Sequence, residues 1–60
     1  MARLQWYDEN TLVIRTKNME DFLVFFNALG LTFKRERHGD GPWHLVCQVG
    51  EKVLEIYPAN

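Results

Sequence analysis

The residues able to do chemistry lie on one predicted hairpin. Two runs rich in β-branched and aromatic residues, 43–49 and 52–57, flank Gly50 and Glu51, and a two-residue turn containing Gly is a hairpin signal. Pairing the runs across this turn places every second residue on one face, because strand side chains alternate. One face then carries an imidazole, an amide, a carboxylate and a phenol among His44, Val46, Gln48, Val53, Glu55 and Tyr57. Acid, base and hydrogen-bonding groups on a β surface predict a functional site there.

The opposite face of this hairpin is almost wholly apolar. It carries Trp43, Leu45, Cys47, Val49, Lys52, Leu54 and Ile56. A sheet with one apolar face buries that face against another layer, and we expect a helix to cover it. Because Cys47 lies on this inner face, we interpret it as an inert buried thiol.

The composition limits the classes of protein. The 60 residues make one small domain, which we assign to 1–60; a chain of this size buries only roughly 60% of its unfolded surface. A hydrophobic content of 47% excludes disorder and favours burial by self-association, as a homodimer or larger even assembly. The net charge of −1 argues against a nucleic-acid partner.

The same composition predicts a cellular compartment and offers neither a disulfide nor a zinc site to stabilise the fold. The single cysteine allows no intrachain disulfide, and no clustered spacing of zinc ligands is present. No secretory leader and no apolar run long enough to cross a membrane are visible in the sequence. We therefore expect a cytoplasmic protein with no membrane partner.

A strand and one helix precede the hairpin. Thr11–Thr16 alternates β-branched residues, with Leu12 and Ile14 on its apolar face. Residues 18–29 predict the helix, with Asn18 as the N-cap and Asp21 three residues later as a variant capping box. Gly30 fits the left-handed position that ends a helix. The predicted buried stripe is Met19, Phe22, Phe26 and Leu29, with Phe25 at its flank and Val24 pointing away.

Residues 31–38 predict a charged edge strand, and the loop that follows sets its register. A loop over 39–43 would oppose His38 to His44 and would place Phe33 on the apolar face. A loop one residue shorter would place Phe33 on the polar face. Burial of a Phe is worth roughly 2 kcal/mol, which favours the first register. His38 and His44 are then neighbours on the polar face, with Glu36 nearby.

Residues 1–10 form either an N-terminal extension or a short extra strand. Leu4 and Trp6 would face inward in such a strand, and residues 8–10 predict a turn. Trp6 packs on the core of its own chain or on that of a neighbour, and we favour the neighbour.

The segments NMEDFLVFFNALGL, HGDGPWH and VLEIYP, in this order and spacing, resemble the vicinal oxygen chelate superfamily. This superfamily includes glyoxalase I, bleomycin-resistance proteins and extradiol dioxygenases. The resemblance covers about residues 12–58 and implies an α+β fold, a single β-α-β-β-β module. In it, a helix packs on one face of a curved, mixed four-stranded sheet. The family pairs two modules around a cleft, so the resemblance implies either a homodimer or a fragment of a longer chain.

The resemblance also implies site residues. Family modules place a metal ligand on the first strand, often His, and another on the fourth, usually Glu. The fourth-strand position falls at Glu55, whereas the first-strand position falls at Thr11, a poor ligand for Zn, Ni or Fe. His44 or His38 could substitute for it, and the expected metal ligands are Glu55 and His44, for a divalent ion. Because the family places the first strand beside the fourth, the expected ligand-binding residues are Thr11, Arg15, His44, Gln48, Glu55 and Tyr57.

Three functional classes fit these residues. The first is a small-molecule-binding protein that resembles the bleomycin-resistance proteins, with its cleft completed by homodimerisation. The second is a metal-dependent lyase, isomerase or dioxygenase of the same superfamily. The third is a structural or interaction half-module without a ligand. Because Thr11 replaces the usual metal ligand, we place binding ahead of catalysis.

Overall fold

The computed structural model describes residues 2–59 and consists of one helix against a five-stranded mixed sheet. Its elements are β1 (Arg3–Trp6), β2 (Thr11–Thr16), α1 (Met19–Ala28), β3 (Lys34–Glu36), β4 (His44–Val49) and β5 (Lys52–Pro58). The strand order is β1-β2-β5-β4-β3, in which β2 and β5 are parallel and the other neighbours are antiparallel. The predicted α+β class is confirmed, and the extra N-terminal strand is present as β1. Met1 of the predicted extension and Asn60 of the predicted domain lie outside the described residues.

The β4–β5 hairpin has the predicted register. Val49 pairs with Lys52 and Val46 pairs with Glu55. The turn works because Gly50 has a φ of 61°, a conformation that Gly adopts without steric cost. The alternation of the two strands therefore separates the polar and apolar faces as the sequence indicated.

The predicted register of β3 is wrong by two residues. Glu36, rather than His38, pairs with His44. The connection is longer than expected because its own hydrogen bonds hold it out of the ladder: the Gly41 N–H donates to the His38 carbonyl at 3.0 Å, and Arg37 Nε donates to the Gly41 carbonyl at 3.0 Å. A shift of two residues leaves each side chain on its predicted face.

The helix spans Met19–Ala28, within the predicted 18–29, with Asn18 and Leu29 as its flanking cap residues, but the predicted N-terminal capping bond is absent. The Asn18 side chain makes no capping hydrogen bond; instead the Asn18 N–H donates to Thr16 Oγ1 at 2.9 Å. At the other end Gly30 has a φ of 91°, and its N–H donates to the Asn27 carbonyl while the Leu31 N–H donates to the Phe26 carbonyl. These two bonds form a Schellman motif.

The apolar stripe of the helix is less buried than predicted. The half-buried side chains are Met19, Phe22, Leu23 and Phe26, and no helical residue is fully buried. Leu29 was expected in the stripe but is exposed, because it lies at the C-cap, where the helix has ended. Leu23 was not predicted. The core is therefore centred on the sheet, at Ile14, Cys47 and Ile56.

The helix leaves β1 uncovered. Leu4 pairs with Ile14 and Trp6 pairs with Leu12, so both side chains face the helix side of the sheet as predicted. However, α1 packs chiefly over the central strand β5, and Leu4 and Trp6 remain 61% and 58% exposed. The chain therefore does not bury these two side chains against its own core. Within residues 2–59, no helix has the length and apolar character needed to cross a membrane.

Candidate functional site

The polar face of the sheet brings together residues from β2 and β5. Because these strands are parallel neighbours, Val13 lies opposite Glu55 and Arg15 opposite Tyr57. The two pairs border a depression of about 320 Å³. Its lining consists of Tyr7, Thr11, Val13, Arg15, His38, Glu55 and Tyr57. Four of the six predicted ligand-binding residues thus share one depression.

A column of flat side chains crosses this face from β2 to the loop after β3. The Arg15 guanidinium lies 5.0 Å from the centre of the Tyr57 ring. The Tyr57 ring stacks on the His44 ring with centroids 4.2 Å apart and planes 9° apart. The His44 ring in turn stacks on the His38 ring at 5.0 Å. The column explains why His44 is only 2% exposed although its strand face is polar.

The buried His44 ring has one satisfied nitrogen and one unsatisfied nitrogen. Nδ1 lies 3.2 Å from the Pro42 carbonyl oxygen. Because a carbonyl oxygen only accepts hydrogen bonds, Nδ1 carries the hydrogen in this pair, and in the neutral ring Nε2 then carries a lone pair. Nε2 is buried and has no hydrogen-bond partner within residues 2–59. The Glu55 carboxylate, at 3.9 Å, faces it.

Glu55 also affects the phenol beside it. Burial raises the pKa of Tyr57, and the negative charge of the neighbouring Glu55 raises that pKa further. The positive charge of Arg15 acts in the opposite direction. Tyr57 is therefore a neutral hydrogen-bond donor at physiological pH.

Gln48 lies apart from the depression. It is on the predicted face, opposite Val53, but its side-chain amide donates to the Gly50 carbonyl at 2.9 Å. This bond fixes the amide at the hairpin turn. Gln48 therefore makes its contact at the hairpin turn and does not line the depression that holds four of the other predicted site residues.

Two imidazoles and a carboxylate form a potential metal-binding cluster next to the depression. Glu36, His38 and His44 each offer one ligand atom, and these atoms lie within 4.8 Å of one another. The cluster contains His44, one of the two predicted metal ligands, whereas Glu55, the other, borders it. Glu36 and His38 were both expected near His44; His38 was considered as a substitute ligand, whereas Glu36 was not. The sequence signal that could have indicated this cluster was the predicted proximity of these residues to His44 across the strand pair.

The depression also contains three residues outside the predicted ligand-binding set: His38, which was expected on this face, Val13 and Tyr7. Val13 forms an apolar patch opposite Glu55, and strand alternation alone could have indicated it. Tyr7 reaches the depression because its N–H donates to the Thr11 carbonyl at 2.8 Å, across the turn that joins β1 to β2. That approach depends on the turn conformation.

Comparisons of this chain with protein families, with curated proteins and with solved structures find no match.

Proposed function

We propose that this chain is a small-molecule-binding protein that holds an anionic ligand on the polar face of its sheet. The observation that carries this proposal is the depression between β2 and β5, lined by Thr11, Arg15, Glu55 and Tyr57. Its volume of about 320 Å³ is at the lower end of the roughly 300–1,000 Å³ range of ligand sites. The resemblance to the bleomycin-resistance proteins supports the same class of function.

Two guanidinium groups favour an anion. Arg3 and Arg15 lie directly opposite each other on β1 and β2, so both belong to the polar face. Within residues 2–59, neither guanidinium has a carboxylate within salt-bridge distance, since the Glu36 and Glu55 carboxylates lie beside the rings of His38 and His44. Like charges directly opposed in a sheet destabilise it. Arg3 does not line the depression, so a carboxylate or phosphate there would bind Arg15 and relieve the repulsion by offsetting the Arg15 charge.

A second copy of the chain completes the site in this proposal. One sheet provides only one wall, and a two-fold partner would place an identical wall across the ligand. Leu4 and Trp6 expose large apolar surface at the β1 edge, on the helix side of the sheet. They support self-association along that edge rather than contact across the depression itself. A single module that resembles half of a two-module family is consistent with this assembly.

The ligand site is tested by amide chemical-shift mapping with benzoate and inorganic phosphate as separate probes. We expect at least one probe to shift the amide signals of Arg15 and Tyr57 while leaving those of the Gly50 turn in place. Arg15→Gln should weaken this binding at least tenfold, since a charge-assisted pair is worth about 1.5–3 kcal/mol. Arg35→Gln is the matched control, because Arg35 pairs with Leu45 on the opposite face. Absence of shifts with both probes, or equal losses in the two variants, would contradict the proposal.

A metal-dependent lyase, isomerase or dioxygenase is the second candidate. The Glu36–His38–His44 cluster favours it because such an enzyme needs a divalent metal ion. Removal of metal ions with a chelator separates the two candidates: an enzyme of this class loses its activity with the ion, whereas anion binding by Arg15 persists without it.

A further inference from the structure

His44 is arranged like a metal-ligating histidine. The ring nitrogen that does not ligate metal usually donates to a carbonyl or carboxylate, which fixes the tautomer and the ring orientation. Here Nδ1 makes this contact with the Pro42 carbonyl at 3.2 Å. Stacking between His38 and Tyr57 holds the ring from both sides. The Nε2 lone pair is therefore oriented before any ion arrives.

The surroundings of Nε2 lack the donor that a buried lone pair requires. Buried polar atoms in folded proteins are almost always hydrogen-bonded, and an unpartnered one costs free energy. Nε2 is buried and unpartnered within residues 2–59, and Glu55 Oε1 lies 3.9 Å away. This separation is too long for a hydrogen bond. Glu55 therefore leaves Nε2 without a hydrogen-bond partner.

From these observations we propose that Glu36, His38 and His44 bind one divalent transition-metal ion, with His44 Nε2 as the fixed ligand. Glu36 faces His44 across the β3–β4 ladder. The side chain of His38 is exposed, with Nε2 3.6 Å from Glu36 Oε1, so its imidazole already lies beside the Glu36 carboxylate while it stacks on His44. The inference stands on these three residues and is independent of the anion proposed at Arg15.

The donor set defines the class of ion. Imidazole ligands suit Zn²⁺, Co²⁺, Ni²⁺ and Cu²⁺, whereas Mg²⁺ and Ca²⁺ prefer sites made wholly of oxygen. Three protein ligands leave at least one coordination position for water or a small molecule. His38 also lines the depression on the polar face, so an open position on the ion would lie beside it. Glu55 contributes negative charge there, and the ion would offset it.

The test uses Co²⁺ as the probe, followed by its visible absorption and by calorimetry on the intact chain. We expect the parent to bind one Co²⁺ per chain. Glu36→Gln and His38→Ala should each weaken binding at least tenfold, since even outer-shell changes at metal sites cost about 10–100-fold. Both residues lie at the partly exposed end of the cluster, so the variants should fold, and circular dichroism would verify this. Asp40→Asn is the control, because Asp40 is an exposed carboxylate in the same loop outside the cluster.

Two results would overturn the proposal. One is a parent that takes up no Co²⁺. The other is that the Glu36→Gln and His38→Ala variants both bind Co²⁺ as tightly as the parent does, in particular if Glu55→Gln alone abolishes binding. The measurements use chloride buffer without benzoate or phosphate, so failure at the metal site and failure at the anion site are distinguished.

Discussion

Removal of one methylene from Ile56 should destabilise the whole domain measurably. Ile56 is 0% exposed on the central strand β5, where it pairs with Ile14 on one side and Leu45 on the other. Ile56→Val keeps the β-branched shape and the strand preference, so the change isolates burial. One buried methylene is worth about 0.8 kcal/mol, and the cavity adds to this, giving about 0.5–1.5 kcal/mol for such substitutions. For a domain of about 60–100 residues, each 1 kcal/mol lowers Tm by about 4–8 °C.

Thermal melts followed by circular dichroism measure this effect. Val24→Ala provides the control because it removes two methyl groups from a helical side chain that is 61% exposed; substitutions at such surface positions change stability by about 0.5 kcal/mol or less. The larger truncation should therefore cost less than the smaller one. Equal losses in the two variants, or a parent-like melt for Ile56→Val, would refute the placement of the core at β5.

Three further predictions concern other parts of the molecule. Trp6→Glu should convert a dimer into monomers because it places a charge in the uncovered apolar edge; a parent that already sediments at 7.1 kDa would contradict this. In a Tyr7→Phe background, Glu55→Gln should lower the pKa of Tyr57, measured by phenolate absorption, because it removes a charge that raises that pKa; an unchanged pKa would count against the contact. The hydrogen bond from the Asn10 N–H lowers the pKa of Asp8, so its stabilisation is complete above the unfolded pKa of about 3.9. That stabilisation is lost as the pH falls through the lower folded value. The difference in Tm between the parent and Asp8→Ala should therefore shrink with acid, and a constant difference would contradict the assignment.

Local sequence rules predicted the strand register correctly where a short turn fixes the two strands. The two-residue turn at Gly50 determines the β4–β5 register, and counting outward from it placed Glu55 and Tyr57 on one face. The β3–β4 loop was harder, because hydrogen bonds of His38 and Arg37 to Gly41 lengthen it by two residues. The face assignments persisted because the side-chain period of a strand is two.

The site itself was only partly predictable for a physical reason. Pattern reasoning assigns side chains to faces, but it does not indicate which of them stack. The burial of His44 arises from rings contributed by a loop and by a neighbouring strand, His38 and Tyr57. That stacking buries the unpartnered Nε2, and alternation alone does not reveal it. Conversely, Gln48 was on the correct face, yet its contact with the Gly50 carbonyl holds it at the turn.

The position of β5 couples the stability of this small domain to its site. β5 lies between β2 and β4 and alternates core and site residues along its length: Ile56 is fully buried, while Glu55 and Tyr57 face the depression. A slip of one residue would exchange the two sets, exposing Ile56 and burying a carboxylate, so the apolar core selects against it strongly. The same apolar contacts that fold the sheet therefore hold Glu55 and Tyr57 in register with Arg15 and His44. A domain with so small a core can position a polar site accurately, because a register shift that displaced the site residues would also unfold the sheet.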